Sequence, residues 1–350
     1  MAAKKRIGIV RGDGIGPEIV DEGLRFLTQV AEKTGFDFET VEYPWSADHY
    51  LETGETMPDS VLSEYRDLDA ILLGAIGDPR VEVGLLERSI IGGIRWKLDM
   101  YLNLRPVKLF HEDLCPLKDV KPADVDMVFV RENTESLYCQ IHGSFKKGTP
   151  DEITTQEMIN TRKGIERAVR YAYELAKKRP RKKLTLIDKA NALRSQELWT
   201  RTFAEVGGEY PEVEQDHAYI DAACMWMVKN PEWFDVCVVD NMFGDIITDL
   251  GAMIQGGLGV AASGNIHPGQ VSMFEPIHGS APKYRGKGVA CPVATIAAVG
   301  MMLDFLGDTE GSEMTDRSIE KALREGQIKD LSARSGRSTS EYTDILLSNL

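Results

Sequence analysis

The sequence predicts an α/β fold in two domains. Short apolar runs bounded by turn residues recur along the chain, and helical patterns lie between them. Its 350 residues also exceed the roughly 250–300 that one hydrophobic core usually serves. The runs at 7–10, 70–73, 125–130, 184–187 and 236–239 have the length of buried strands. The clearest helix spans 161–178, where Ile165, Ala168, Val169, Ala172, Leu175 and Ala176 mark one face. The basic run Lys177 to Lys183 reads as a helix C-terminus stopped by Pro180, not as a nucleic-acid patch. Residues 109–126 read as surface loop. Residues 139–154 are broken by Gly143, Gly148 and Pro150 and read as an irregular excursion, a candidate dimer arm.

Composition narrows the class of function. With 43% hydrophobic and 27% charged residues, 32 Gly and 15 Pro, the chain is neither disordered nor fibrous. A net charge of −14 repels phosphate backbones, which argues against nucleic acid as a partner. Five scattered cysteines without a CxxC pair indicate neither a disulfide framework nor a cysteine zinc site, and they suit a reducing compartment. The apolar stretch at 7–10 is too short for a signal sequence, and no run of about 20 apolar residues follows, so no membrane partner and a cytoplasmic location are expected.

Several segments carry chemistry. Gly12-Asp13-Gly14-Ile15-Gly16-Pro17 follows a strand, but its spacing departs from G-x-G-x-x-G; it reads as a tight turn, not a Rossmann fingerprint. Arg95, Arg105 and Arg131 supply guanidiniums suited to a di- or tricarboxylate; taken singly, each reads more readily as a surface ion pair. Asp245 and Asp249 stand four apart, so a helix projects both from one face, as Mg²⁺ or Mn²⁺ requires; the plain alternative is an exposed acidic face. Lys189 lies at a strand end, where a desolvated lysine serves as a base, although an ordinary surface lysine is the commoner reading of such a position. The loop from Phe274 to Gly288 is dense in Gly, Pro and small residues, of the kind that wraps a nucleotide.

Together these segments resemble the β-decarboxylating dehydrogenases, the family of isopropylmalate, isocitrate, homoisocitrate, tartrate and D-malate dehydrogenases, from Gly12 to about Leu306. The resemblance implies an isopropylmalate dehydrogenase-like two-domain fold with a continuous mixed sheet, not a true Rossmann fold. The first, cofactor-side domain would take residues 1–102 and 255–350, and a central domain 103–254 would carry substrate and metal residues and the dimer arm. It implies a homodimer with shared active sites. By the same resemblance Arg95, Arg105 and Arg131 hold the malate-type carboxylates, and Tyr138 and Lys189 are the acid/base pair. Asp245 and Asp249, with Asp221 of the other subunit, bind Mg²⁺ or Mn²⁺. Cofactor contacts fall on Ile76, Asn191, Glu275, His278, Gly279, Ser280, Ala281, Lys283, Tyr284 and Cys291.

The resemblance also has departures. Lys283-Tyr284 stands where isopropylmalate dehydrogenases carry Asp-Ile, and a cation there favours the 2′-phosphate of NADP over the free ribose of NAD. Cys291 replaces an Asn, and Ser136 replaces a Gly in the Glu-Asn-Thr-Glu-Gly motif. Ile90 and Ile91 offer an apolar wall for an isopropyl group, while Ser89 and Arg88 suit a more polar substituent. The expected reaction is oxidative decarboxylation of a 3-substituted D-malate, first 3-isopropylmalate, with D-malate, tartrate or a pathway-specific malate left open. A catalytically silent regulatory subunit is disfavoured, because every acid/base, arginine and metal position is retained.

Overall fold

The computed structural model describes residues 4–350. Twelve strands occur among them: β1 Lys5–Gly12, β2 Phe38–Tyr43, β3 Ala70–Ala75, β4 Leu102–Lys108, β5 Asp126–Glu132, β6 His142–Phe145, β7 Ile153–Gln156, β8 Lys183–Asp188, β9 Glu214–Tyr219, β10 Val236–Val239, β11 Ala262–Ile266 and β12 Ser272–Pro276. The chain divides into two compact units. One takes Met1–Met100, Lys108–Pro122 and Ala252–Leu350; the other takes Tyr101–Val107 and Ala123–Gly251.

In the first unit the strand order is β2-β1-β3-β12-β11. β1 runs parallel to β2 and β3, β12 runs parallel to β3, and β11 is antiparallel to β12. Ile7, Ile9 and Val10 of β1 and Ile71 to Leu73 of β3 are wholly buried, as strands covered on both faces require. The glycine turn after β1 is a structural clamp. Gly12 and Gly14 sit at φ +70° and +58°, and a Cβ on them would lie 2.1 Å from the Ala75 carbonyl and 1.9 Å from the Ser280 carbonyl. Only glycine tolerates both the backbone conformation and the approach. Between them Asp13 accepts from the amides of Ala47 (2.6 Å) and Gly77 (2.8 Å), and the Ile15 amide donates to Ser280 O at 2.8 Å. The motif thus ties β3 and the 278–284 loop to the start of the helix Gly16–Thr34, which Pro17 opens.

In the second unit the order is β4-β5-β10-β8-β9, with β10 parallel to β5 and β8, and β8 parallel to β9. The helix Arg162–Lys178 packs on this sheet, its N-terminus capped by the Thr161 hydroxyl, which accepts from the Gly164 amide at 3.0 Å. Its buried face holds Ile165, Ala168, Val169, Ala172 and Ala176, but Tyr173 is fully buried where Leu175 was expected. The Tyr173 ring stacks on Phe203 and Tyr210 at 5.3 and 4.9 Å, contacts that no helical period reveals. Two arginines of the basic run beyond it bind within the fold, Arg179 pairing with Asp235 at 2.5 Å and Arg181 donating to Phe234 O at 2.8 Å, while Lys177, Lys178 and Lys182 stay exposed.

The strands without apolar runs escaped the sequence reading. β2 and β9 stand at the ends of their strand orders with largely polar side chains, and β4 carries Arg105 and Pro106. Residues 139–154 are not simply irregular, because β6 and β7 pair there as an antiparallel hairpin whose side chains are mostly exposed. Among the described residues no helix is long and apolar enough to cross a membrane.

Candidate active site

The register of the second unit's sheet brings its functional residues to one end. Val239 of β10 lies opposite Arg131 of β5 and Ile187 of β8. Three parallel strands therefore finish abreast, at the carboxyl edge where α/β sheets hold ligands. Past that row the chain continues as Asp240 into the helix Asn241–Ile254, and as Asp188-Lys189 into a turn.

Arg131 is only 2% exposed. Its Nε and Nη2 donate to Asn241 Oδ1 at 2.9 and 2.7 Å, and its Nη1 to Asp245 Oδ1 at 2.5 Å. Gly244 makes room for it, since a Cβ there would come within 2.7 Å of the arginine's stem. Arg105 alternates along β4 with Asn103, so both face the same way, and Asn103 Oδ1 accepts from Arg105 Nε at 2.7 Å. Arg105 also donates to Thr248 Oγ1 (2.7 Å), Asp249 (3.3 Å) and Asp245 (3.4 Å). Two nearly buried guanidiniums thus converge on two carboxylates one helical turn apart.

The environment splits the two acids. Burial pushes the Asp245 carboxyl up, but the positive charges of Arg131 and Arg105 outweigh it and hold the group below the usual carboxylate value. For Asp249 burial prevails over the Arg105 charge and raises it. The Tyr138 hydroxyl donates to Asp245 Oδ2 at 2.8 Å, and burial, with the Asp245 charge second, drives its pKa up. Tyr138 is therefore held as a neutral phenol, a proton donor.

Lys189 and Asp221 form a pair of their own. Lys189 Nζ donates to Asp221 Oδ1 at 2.7 Å, and that bond holds the Asp221 carboxyl below its ordinary value. Among the described residues no three carboxylate, histidine or cysteine side chains converge as one metal site. Asp245 and Asp249 nevertheless suit a hard cation, being two anionic oxygen donors on one helix face.

The remaining expected residues fall in the first unit, Asn191 apart. Arg95 sits on the helix Gly93–Lys97, which continues a π-helical turn Glu87–Gly92. Its Nη2 donates to Glu275 Oε1 at 2.6 Å, and Asn265 Nδ2 donates to the same oxygen at 2.7 Å. Glu275 therefore holds an arginine, where a cofactor contact was expected. Arg95 Nε is buried with no partner, a donor available to a carboxylate. Ile90 was expected in a pocket wall with Ile91. It is 1% exposed in a core with Met57, Leu86 and Ile94, and Ile91 packs against that core, because the π turn points both inward. Ser89 is partly exposed and Arg88 is exposed.

Ile76, Gly279 and Ser280 line one cleft of about 280 Å³, together with Gly77, Leu86 and Glu87. Next to it burial lowers the pKa of the His278 imidazole, whose Nε2 is buried and unpartnered. A built cleft with an orphaned ring nitrogen fits a ligand with polar groups. Ala281 adopts φ +41°, and beyond it Lys283 and Lys287 lie 4.8 and 5.9 Å from the Tyr284 ring. Cys291 is 7% exposed, and burial pushes its thiol up to about 12, so it reads as packing. Asn191 is exposed in the second unit, two residues past Lys189.

Sequence reasoning missed Asn103, Asn241 and Thr248, the residues that orient the arginines. A signal existed for each: Asn103 shares the strand period with Arg105, and Thr248 follows Asp245 by three on a helix. Asn241 carried no comparable pattern.

Buried arginines and a tyrosine hydroxyl gather on paired carboxylates at the carboxyl end of parallel strands, where α/β enzymes hold their ligands. The chain belongs to the isocitrate/isopropylmalate dehydrogenase family, whose model matches residues 6–346, and it is an oxidative decarboxylating dehydrogenase. Among its relatives, 3-isopropylmalate dehydrogenase of Thermobifida fusca is 50% identical over 323 residues, 91% of each chain. That of Frankia casuarinae is 50% identical over 321 residues, covering 91% of this chain and 92% of its own. The crystal structure of isocitrate dehydrogenase from Methylococcus capsulatus is similar over 99% of both chains, at a TM-score of 0.88 and 34% identity.

Proposed function

We propose that this protein converts a 3-substituted D-malate, 3-isopropylmalate before others, to a 2-oxo acid and CO₂, with NAD(P)⁺ and Mg²⁺ or Mn²⁺. The observation that carries this reading is the shared carboxylate of Asp245, held by Arg131 on one oxygen and by the Tyr138 hydroxyl on the other. The relatives named 3-isopropylmalate dehydrogenase support the substrate. Arg105 and Arg131, with Arg95, bind the substrate carboxylates. Asp245 and Asp249 hold the cation with Asp221 of a second copy. When bound, it polarises the 2-hydroxyl and draws off the negative charge that develops during carboxylate loss.

Lys189 of the second copy accepts the hydroxyl proton, and NAD(P)⁺, which the Phe274 to Gly288 loop would hold, would supply the acceptor for the C2 hydride. The C3–carboxylate bond then breaks and releases CO₂, its electron pair passes into an enolate, and Tyr138 donates a proton to C3 to give the 2-oxo acid. A homodimer follows from this reading, and exposed apolar side chains support it. The helix Ile220–Lys229 exposes Met225 (66%) and Val228 (44%), and the helix Asn241–Ile254 exposes Ile246 (55%). All five cysteines are free, which suits a reducing cytoplasm. Two lysines against the Tyr284 ring favour a 2′-phosphate and therefore NADP⁺.

A second reading, D-malate or tartrate as substrate, has its own observation. With Ile90 withdrawn into the core, Arg88 is the exposed side chain of the π turn, and Ser89 beside it is partly exposed. The test is absorbance of reduced cofactor with Mg²⁺ or Mn²⁺, running 3-isopropylmalate, D-malate, tartrate and isocitrate against NAD⁺ and NADP⁺. The highest kcat/KM is expected for 3-isopropylmalate. A higher value for D-malate or tartrate would move the assignment to the second reading, and no turnover of any of the four would reject both.

A further inference from the structure

Ser136 occupies a backbone conformation that only glycine usually takes, φ +68° and ψ −144°. It is 1% exposed, and its hydroxyl donates to Asp240 Oδ2 at 3.0 Å. Asp240 is itself 1% exposed and opens the helix that carries Asp245 and Asp249, accepting from the Phe243 amide at 2.8 Å. Gln196, from the segment after Lys189, donates to the same Oδ2 at 3.0 Å. A second link lies beside the first, where Asn241 Nδ2 donates to Glu135 O at 3.2 Å. The far side of the turn is fixed by Ser136 N donating to Ile159 O at 2.7 Å. Tyr138 follows two residues later and reaches Asp245.

We propose that Ser136 is a positioning residue for the proton donor: its hydroxyl, bonded to the buried Asp240 carboxylate, fastens the turn bearing Tyr138 to the helix bearing Asp245. This rests on the reading of Tyr138 as that donor. A glycine would adopt the turn without strain but would leave Asp240 without its hydroxyl partner. The serine accepts an unfavourable backbone conformation in exchange for a tether that a glycine lacks.

The test compares Ser136→Gly and Ser136→Ala, each alone and combined with Tyr138→Phe, in the full-length protein. Glycine keeps the turn accessible, so that variant remains folded where alanine keeps the strain of φ +68°. Expected for Ser136→Gly is a kcat about tenfold lower with KM for the hydroxy acid within about twofold, since misplacing a general acid forfeits part of its 10²–10⁴-fold contribution. In the Tyr138→Phe background the same change should add nothing, because both act through one group. Amides 135–138 should exchange hydrogen faster in the variant, a readout that needs no substrate. Wild-type kcat in Ser136→Gly, full additivity with Tyr138→Phe, or unchanged exchange at 135–138 would each overturn the tether. A protein inactive on all four substrates but with faster exchange would instead keep the tether and reject Tyr138 as donor.

Discussion

Replacing Arg131 by lysine keeps the charge and removes the fork. The guanidinium places two donors on Asn241 Oδ1, at 2.9 and 2.7 Å, and one on Asp245 at 2.5 Å, with 2% of the residue exposed. A lysine ammonium reaches one of these oxygens and abandons the other. Losing a hydrogen bond from a charged group costs about 1.5–3 kcal/mol, and an unsatisfied buried acceptor about 1–3 kcal/mol. Partial relaxation leaves a destabilisation of about 2–4 kcal/mol, or about 3–5 °C in Tm for a protein of this size. The substrate carboxylate loses its bidentate partner as well, so kcat/KM should fall by about 10- to 150-fold, chiefly through KM. The sign of the pH dependence follows from Asp245, whose folded pKa lies below its unfolded value. Its contribution is present above the unfolded value of about 3.9 and is lost as pH falls through the folded one. The gap in Tm between the wild type and the lysine variant should therefore be full at neutral pH and close under acid. Calorimetry from pH 3 to 7, with initial rates at neutral pH, measures both. An unchanged Tm together with an unchanged kcat/KM would refute the role given to the fork.

Lys189→Met should leave Tm nearly unchanged, because exposed ion pairs are worth about 0–1 kcal/mol, while kcat falls by about 10²–10⁴-fold; near-normal turnover removes Lys189 from the chemistry. Gly12→Ala should destabilise by at least about 2 kcal/mol, since alanine must take φ +70° with its Cβ 2.1 Å from the Ala75 carbonyl; denaturant midpoints read this, and a wild-type midpoint contradicts it. His217 lies 3.0 Å from Asp188, and that bond raises the imidazole's pKa. Its stabilisation is complete below the unfolded value near 6.5 and fades as pH rises through the folded one, so His217→Gln should flatten the decline of Tm across that window. An identical Tm profile for the variant would show that the pair contributes nothing.

Legibility in the sequence followed burial and period. Strands covered on both faces announced themselves as apolar runs, and all five such runs became β1, β3, β5, β8 and β10. Strands with polar or exposed side chains, such as β9 and the β6–β7 hairpin, left no run to read. Asp245 and Asp249 were legible because a helix repeats every 3.6 residues, and Arg131 because it ends a strand. What no pattern carried was contact between distant segments. Glu275 holding Arg95 spans 180 residues, and Ser136 meeting Asp240 spans 104. The burial of Ile90 was hidden for a related reason: a π turn rotates side chains away from the α-helical or extended phase that a reader assumes.

The most direct measurement follows cofactor reduction and CO₂ release together from 3-isopropylmalate, before and after a chelator. One CO₂ per reduced cofactor is expected, with both lost on chelation and both restored by Mg²⁺ or Mn²⁺. Cofactor reduction without CO₂, or turnover indifferent to the chelator, would contradict metal-dependent oxidative decarboxylation at Arg131, Tyr138 and Asp245.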